Sequence, residues 1–549
     1  MTWRAFLLGL LGAVFIASVT PWNDFAKGNT FLTGSHFPAG VVAVLLMLTL
    51  AANPLLKLIR RAWALRQTEL MLIWCMMIAA CAVPASGFMR FWFPLCAAPA
   101  YYAARPDLAW EDNVLKEVPA DLVLTKDPRS HAAKSFYEGT RTGEHVRIPW
   151  GLWLRPMAAW TAFALLFYAT TFFLVGILRK QWVESERLLF PLARVPMEFT
   201  ADAGEQHLLP GLMMRSKPLL VGMAASGAFS LVRVAPVLTG AEGGWLPRIP
   251  LDSILWGTPL GQLGIWAAHV YPVAIAFAFL VPSDVSLSIW VFFLFIRFEV
   301  QASYWIGRPL ELCSLAMAAW FVYYRVSPLV AVGLVGVMLV LTLGIARLVA
   351  QGGVFLVLQQ WKPVDLLHGL TGGRAFGAAA AVVAQMHNNV FFWDTRELLS
   401  AHAMNAMRIS SVFERRKRLL LPAMAAALLL AVPVAAGSSL YMYYRIGAYN
   451  VGTTWGTRVH PINTFNKAER MITSPVQSAE PHFGSLAFGG GFMFLITLAR
   501  MRFYWWPIHS LGFMMASSYA AHMVWLSAIA VSTALGLAGV RLGAIFLPN

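Results

Sequence analysis

Chemistry in this 549-residue chain must come from ionisable and hydrogen-bonding side chains set among long apolar runs. The first group is Glu184, Glu186 and Arg187, two carboxylates with an internal counter-charge beside the apolar segment Leu188–Phe190. Such a group suits a cation or proton site, or equally an interfacial salt-bridge network. Arg297 and Glu299 stand two residues apart, so on a helix they point in different directions and each needs a partner elsewhere, or else snorkels from a helix end. His387, Asn388 and Asn389 form a polar island inside an Ala-rich run. They line a pathway or bond neighbouring helices, and a histidine there makes proton coupling physically available. Asp284, after Pro282 and Ser283, reads as a helix cap with proton carriage as the other option. His269 has no comparable neighbours and reads as a core residue.

The element that must position the first group runs from Tyr168 to Phe199. It begins as an apolar helix, turns polar over Arg179–Arg187, becomes apolar again at Leu188, and is interrupted by Pro191 and Pro196. The prolines disfavour one unbroken helix. A broken, partly buried segment in a polar cavity is one reading, since ligand sites in secondary transporters are often built that way. A cytoplasmic loop docking its Leu and Phe side chains is the other.

Composition fixes the class. Hydrophobic residues make up 58% and charged residues only 12% of the chain, too few charges to cover a soluble protein of this size. Mean hydropathy is +0.63, and apolar runs of membrane length recur from end to end. An all-α polytopic membrane protein follows, with about 13 transmembrane helices, some broken or re-entrant. The net charge of +16 sits in short links such as Lys57–Arg66, Arg179–Lys180, Arg415–Arg418 and Arg500–Arg502. That pattern fits cytoplasmic loops facing an anionic leaflet, leaves nucleic-acid binding without support, and puts the N-terminus on the cytoplasmic side.

Spans are expected near residues 5–20, 37–56, 69–88, 152–178, 218–236, 261–281, 285–301, 309–324, 328–350, 375–392, 419–441 and 485–499, with one or two more in the last 47 residues. The first is read as a retained helix, not a cleaved signal. Residues 91–104 are short and proline-broken, and so expected to re-enter or lie at the interface; 400–417 reads as an interfacial amphipathic helix. The chain reads as one integral membrane domain, 1–549, with extracytoplasmic loops over 105–149, a possible small cap, and 445–484. Cys75, Cys81, Cys96 and Cys313 have no metal-ligand spacing and read as buried thiols. No HExxH, GxSxG or Walker loop is present, and Asp394, Arg396 and Glu397 read as a solvated helix end. Neither an enzyme nor a cofactor or metal site is expected.

Four blocks carry a family resemblance: Leu178–Leu192, Val281–Trp290, Lys362–Leu367 and Tyr504–His509. Through them the chain resembles an uncharacterised group of bacterial membrane proteins related to the oligopeptide transporter superfamily. The resemblance implies a bundle of many helices built from two related halves in the inner membrane. It further implies secondary active uptake of peptides or related small polar solutes, coupled to a proton or sodium ion. Two departures are that the group continues past the position of Ala544 and carries a charged helix before Lys362. They open the alternative of a non-transporting scaffold subunit within a larger membrane complex, with membrane partners or copies of itself.

Overall fold

The computed structural model describes residues 2–203, 308–474 and 483–503, apart from positions within 104–109, 141–143, 187, 360–361 and 372–374, together with a few isolated positions and the backbone of 248–249 and 268–269. The regular elements among the described residues are helices except for one antiparallel pairing, in which Arg248 faces His269 and Ile249 faces Ala268. Five described stretches are long and apolar enough to cross a membrane: Trp3–Ala26, Ala39–Ile59, Trp150–Glu184, Pro328–Gly352 and Lys417–Ile446. They coincide with spans expected from the sequence. The other expected spans form shorter apolar helices or fall largely outside the described residues, as 218–301 does; within the helix expected over 261–281 the described Ala268–His269 is a strand.

Helix α1 (Trp3–Thr20) opens on Thr2, whose hydroxyl accepts the Ala5 amide. Its Trp3, Leu7, Leu11 and Phe15 repeat every four residues and are all exposed, a stripe that water would not tolerate and lipid would. The opposite face packs on α2 (Gln67–Ala80). A Cβ on Gly9 would lie 2.4 Å from the Met76 sulfur, so that contact requires glycine. Arg4 ties the two together through Glu69, with Nε to Oε1 at 2.7 Å.

The centre of the molecule is made of shorter, mostly apolar helices that are buried nearly all round. Every residue of α2 from Glu69 to Ala80 is buried. It is followed by turns at 81–88 and then α3 (Met89–Ala103), which stays helical despite Pro94 and Pro99. Residues 91–103, Tyr101 apart, are therefore buried in protein, with no interfacial face. Later come α4 (Ala378–Phe391) and, after a break at 392–398, α5 (Leu399–Ile409). The interfacial helix expected over 400–417 is overturned: α5 is buried between α2, α6 (Trp150–Arg179) and α7 (Pro328–Gly352). Its polar Ser400, His402 and Asn405 are buried along with its alanines and methionines, so no side of the helix is left for an interface.

The two long loops fold against each other. Trp110 Nε1 donates to Asn466 Oδ1 at 2.9 Å and Asn113 to Glu469 at 2.8 Å. The Ala448 amide reaches the Phe136 carbonyl, also at 2.9 Å. Cys75, Cys81 and Cys96 are buried and Cys313 half-buried, all as free thiols.

Candidate functional site

Two helices are broken, and their breaks meet. In the pair α2–α3 the break holds Pro84 and Gly87; in α4–α5 it holds Asp394, Arg396 and Glu397. The first half of each pair packs on the second half of the other, α2 on α5 and α3 on α4, so the two run in opposite directions. Each half is 11 to 15 residues long. At ~1.5 Å per residue none could cross a ~30 Å hydrocarbon core alone.

Non-helical backbone at such depth needs partners for its polar groups. The Gly87 amide donates to Glu397 Oε2 at 3.1 Å, and Tyr168 of α6 donates its hydroxyl to the Ala82 carbonyl at 3.1 Å. Gly87 is required by space: a Cβ there would lie 2.3 Å from the Ala82 carbonyl oxygen. In the other break Thr395 Oγ1 donates to the Val357 carbonyl at 3.0 Å, while the Asp394 side chain accepts the Arg396 amide.

The charges between the breaks are buried and balanced. Asp394 is 3% exposed, Glu397 0% and Arg90 8%. Asp394 holds the Arg396 guanidinium by two contacts, one of them from Nε at 2.7 Å. Arg90 donates to Ser86 Oγ at 3.2 Å and sits 5.1 Å from the Phe25 and Phe31 ring centroids and 5.2 Å from Phe91. Its field reaches Asp394 and Glu397. Burial on this scale without compensating charge would be prohibitive, which is why both signs are present.

The segment between α1 and the second span closes one side. Asp24 accepts the Leu32 amide at 3.0 Å, and Thr33 Oγ1 donates to Glu397 Oε1 at 3.4 Å. His36 anchors its amide on the Phe355 carbonyl at 2.7 Å. Its ring lies 6.0 Å from that of His402 on α5. Neither imidazole makes a hydrogen bond among the described residues. Burial holds His36 well below its ordinary value, so it is neutral.

Matches to a single family model run over residues 1–312 and 309–545. The chain belongs to DUF6785, a family of unknown function. Comparison with curated proteins returns no match for this DUF6785 member.

Of the residues singled out in the sequence, the described ones make their bonds away from this centre. Glu184 is exposed and pairs with Arg179 at 3.4 Å; Glu186 pairs with Arg347 at 2.5 Å and accepts from Gln181 at 3.1 Å. These acids lie on a wide helical turn, Lys180–Ser185, whose Trp182 ring faces Arg347. After it the chain reverses at Phe190, a buried residue with φ of 47°, whose amide bonds the Ala350 carbonyl at 2.9 Å. Arg187, Asp284, Arg297 and Glu299 lie outside the described residues, and so does the side chain of His269.

His387 is buried and satisfied. Its Nδ1 is 2.9 Å from the Val383 carbonyl, Trp320 Nε1 donates to its Nε2 at 3.1 Å, and its ring stacks on Trp160 at 4.5 Å. Asn388 accepts the Val364 amide at 3.2 Å, and Asn389 donates to the Gln385 carbonyl at 2.7 Å. Asp394 and Glu397, expected to be a solvated helix end, are instead the most deeply buried acids of the break. Period and composition do not separate a solvated helix end from a buried break. The one signal in the sequence was the match between Pro84–Gly87 in one apolar run and charges in another.

Proposed function

We propose that this multi-pass membrane protein is a secondary transporter whose pathway passes the two meeting breaks. One observation carries the reading: oppositely directed broken helices bring Arg90, Asp394 and Glu397 together in the protein interior. Broken helices expose backbone dipoles and permit charges that a continuous apolar span would not, and these are the elements from which ion and solute sites in membranes are built. Glu397, held by a helix-start amide and a hydroxyl, is positioned as an ion-coupling carboxylate. The resemblance to the oligopeptide transporter superfamily supports peptides or related small polar solutes as cargo and about 13 spans in an inner membrane. In this arrangement the N-terminus is cytoplasmic and the packed loops 105–149 and 445–484 are outside.

The test is uptake into proteoliposomes under an imposed proton or sodium gradient, with di- and tripeptides and metal chelates as solutes. Gradient-dependent uptake that Asp394→Asn or Glu397→Gln removes is the expected result. Absence of uptake for every solute under both gradients overturns the reading.

The scaffold reading has its own support in the close pairing of Glu186 with Arg347 and of Asp394 with Arg396. It requires partner chains on the apolar outer faces. Mild-detergent extraction that yields the chain alone removes it.

A further inference from the structure

Lys362 opens the Lys362–Leu367 block and is only 8% exposed. Its ammonium nitrogen stands 3.0 Å above the Trp393 ring centroid. No ion pair holds it among the described residues, because the neighbouring Asp365 is bonded to Lys467. A buried ammonium that rests on an aromatic face and lacks a carboxylate is unusual, since desolvation disfavours it and only the ring quadrupole repays the loss.

Trp393 is one wall of a box of three mutually adjacent rings. Trp393 and His460 centroids are 4.7 Å apart, Trp455 and His460 5.2 Å, and Trp393 and Trp455 5.4 Å. They come from three separate elements: the 392–398 break, the turn Thr454–Gly456 and the helix Val459–Thr473. Trp455 is 38% exposed, so the box opens to solvent at that edge. Burial, together with the charges of Lys362 and Arg90, holds His460 well below its ordinary value. The imidazole therefore adds an aromatic face and no positive charge. On the inner side His460 lies 4.4 Å from Phe91, whose other neighbour is Arg90 of the helix break.

We propose that the face of Trp393, backed by Trp455 and His460, is a recognition site for an organic ammonium group, and that Lys362 occupies that face as a tethered, displaceable group. Burial pushes Lys362 down to about 7, so near neutral pH the tether spends part of its time uncharged, the form that leaves the ring face most easily. Aromatic boxes of this kind select methylated and primary ammonium groups over neutral isosteres. The solute class is then a small amine-bearing cation entering beside the loop cap. The inference rests on the transport reading only for making that cation a cargo.

Tetramethylammonium chloride and the uncharged isostere neopentyl alcohol are titrated calorimetrically into the purified full-length protein in detergent, at constant ionic strength. Lys362→Met and the more conservative Lys362→Gln are each expected to bind tetramethylammonium at least tenfold more tightly than the wild type. Trp393→Leu added to either should abolish the gain. The inference is overturned if neither variant gains affinity, if neopentyl alcohol gains equally, or if the gain survives Trp393→Leu. Because binding is read without a gradient, tight binding with no uptake leaves this site standing and removes only the transport reading.

Discussion

Glu397 accepts the backbone amide of Gly87 at 3.1 Å across 310 residues of sequence, and this bond ties the two helix breaks together. Its two ends respond differently to substitution. Gly87→Ala drives a methyl into the Ala82 carbonyl and is expected to lower stability by about 2–3 kcal/mol. Glu397→Gln keeps an acceptor for the amide and should cost no more than ~1 kcal/mol while removing gradient-driven uptake. Thermal unfolding in detergent and proteoliposome uptake, measured on both variants, separate the two effects. A Glu397→Gln protein with full coupled uptake would deny the carboxylate its coupling role.

Asp394 and Arg396 are expected to be non-additive. Asp394→Leu leaves a largely buried guanidinium without its bidentate carboxylate, a loss of roughly 3–5 kcal/mol. Arg396→Met alone spares Asp394 some of that penalty, because Ser86 and Arg90 still act on it. The double variant Asp394→Leu/Arg396→Met should therefore be more stable than Asp394→Leu by at least ~1 kcal/mol. Equal stability of the double variant and the Asp394→Leu single would mean that the pair is not a coupled unit.

His387 is expected to behave as a structural residue. His387→Leu strands the Trp320 indole N–H and removes the stacking partner of Trp160, for a loss of about 1–3 kcal/mol in unfolding free energy. Solute affinity, measured on whatever fraction stays folded, should be unchanged within twofold. A selective loss of affinity at intact stability would return His387 to the pathway.

The five long spans were legible in the sequence because an apolar run of membrane length, as at Pro328–Gly352, is too hydrophobic to present a face to water. The central helices were less so. Ala378–Phe391 and Leu399–Ile409 are mostly apolar, and composition does not distinguish a helix packed in protein from one packed in lipid. Charges misled for a related reason. Glu184 and Glu186 stood out as two acids in a short polar stretch, yet Glu184 pairs with nearby Arg179 and Glu186 with Arg347 of α7. Arg90 was invisible because its partners, Ser86 apart, are remote: the rings of Phe25 and Phe31 and the field of Asp394. Only contact across the fold distinguishes such residues.

Lys362 gives the pH dependence its sign. Burial lowers its folded-state value from 10.5 to about 7, so between those values the unfolded chain binds the proton more than the folded one does. Stability therefore rises with pH across that window. Below about 7 both states are protonated and the deficit is constant. Wild-type protein should gain thermal stability relative to Lys362→Met from pH 7 towards pH 10, with the difference flat at lower pH. The Trp393 face acts in the opposite direction, since it favours the ammonium form. Wild type and Lys362→Met with parallel pH profiles over the whole range would show that this ring contact offsets the desolvation in full.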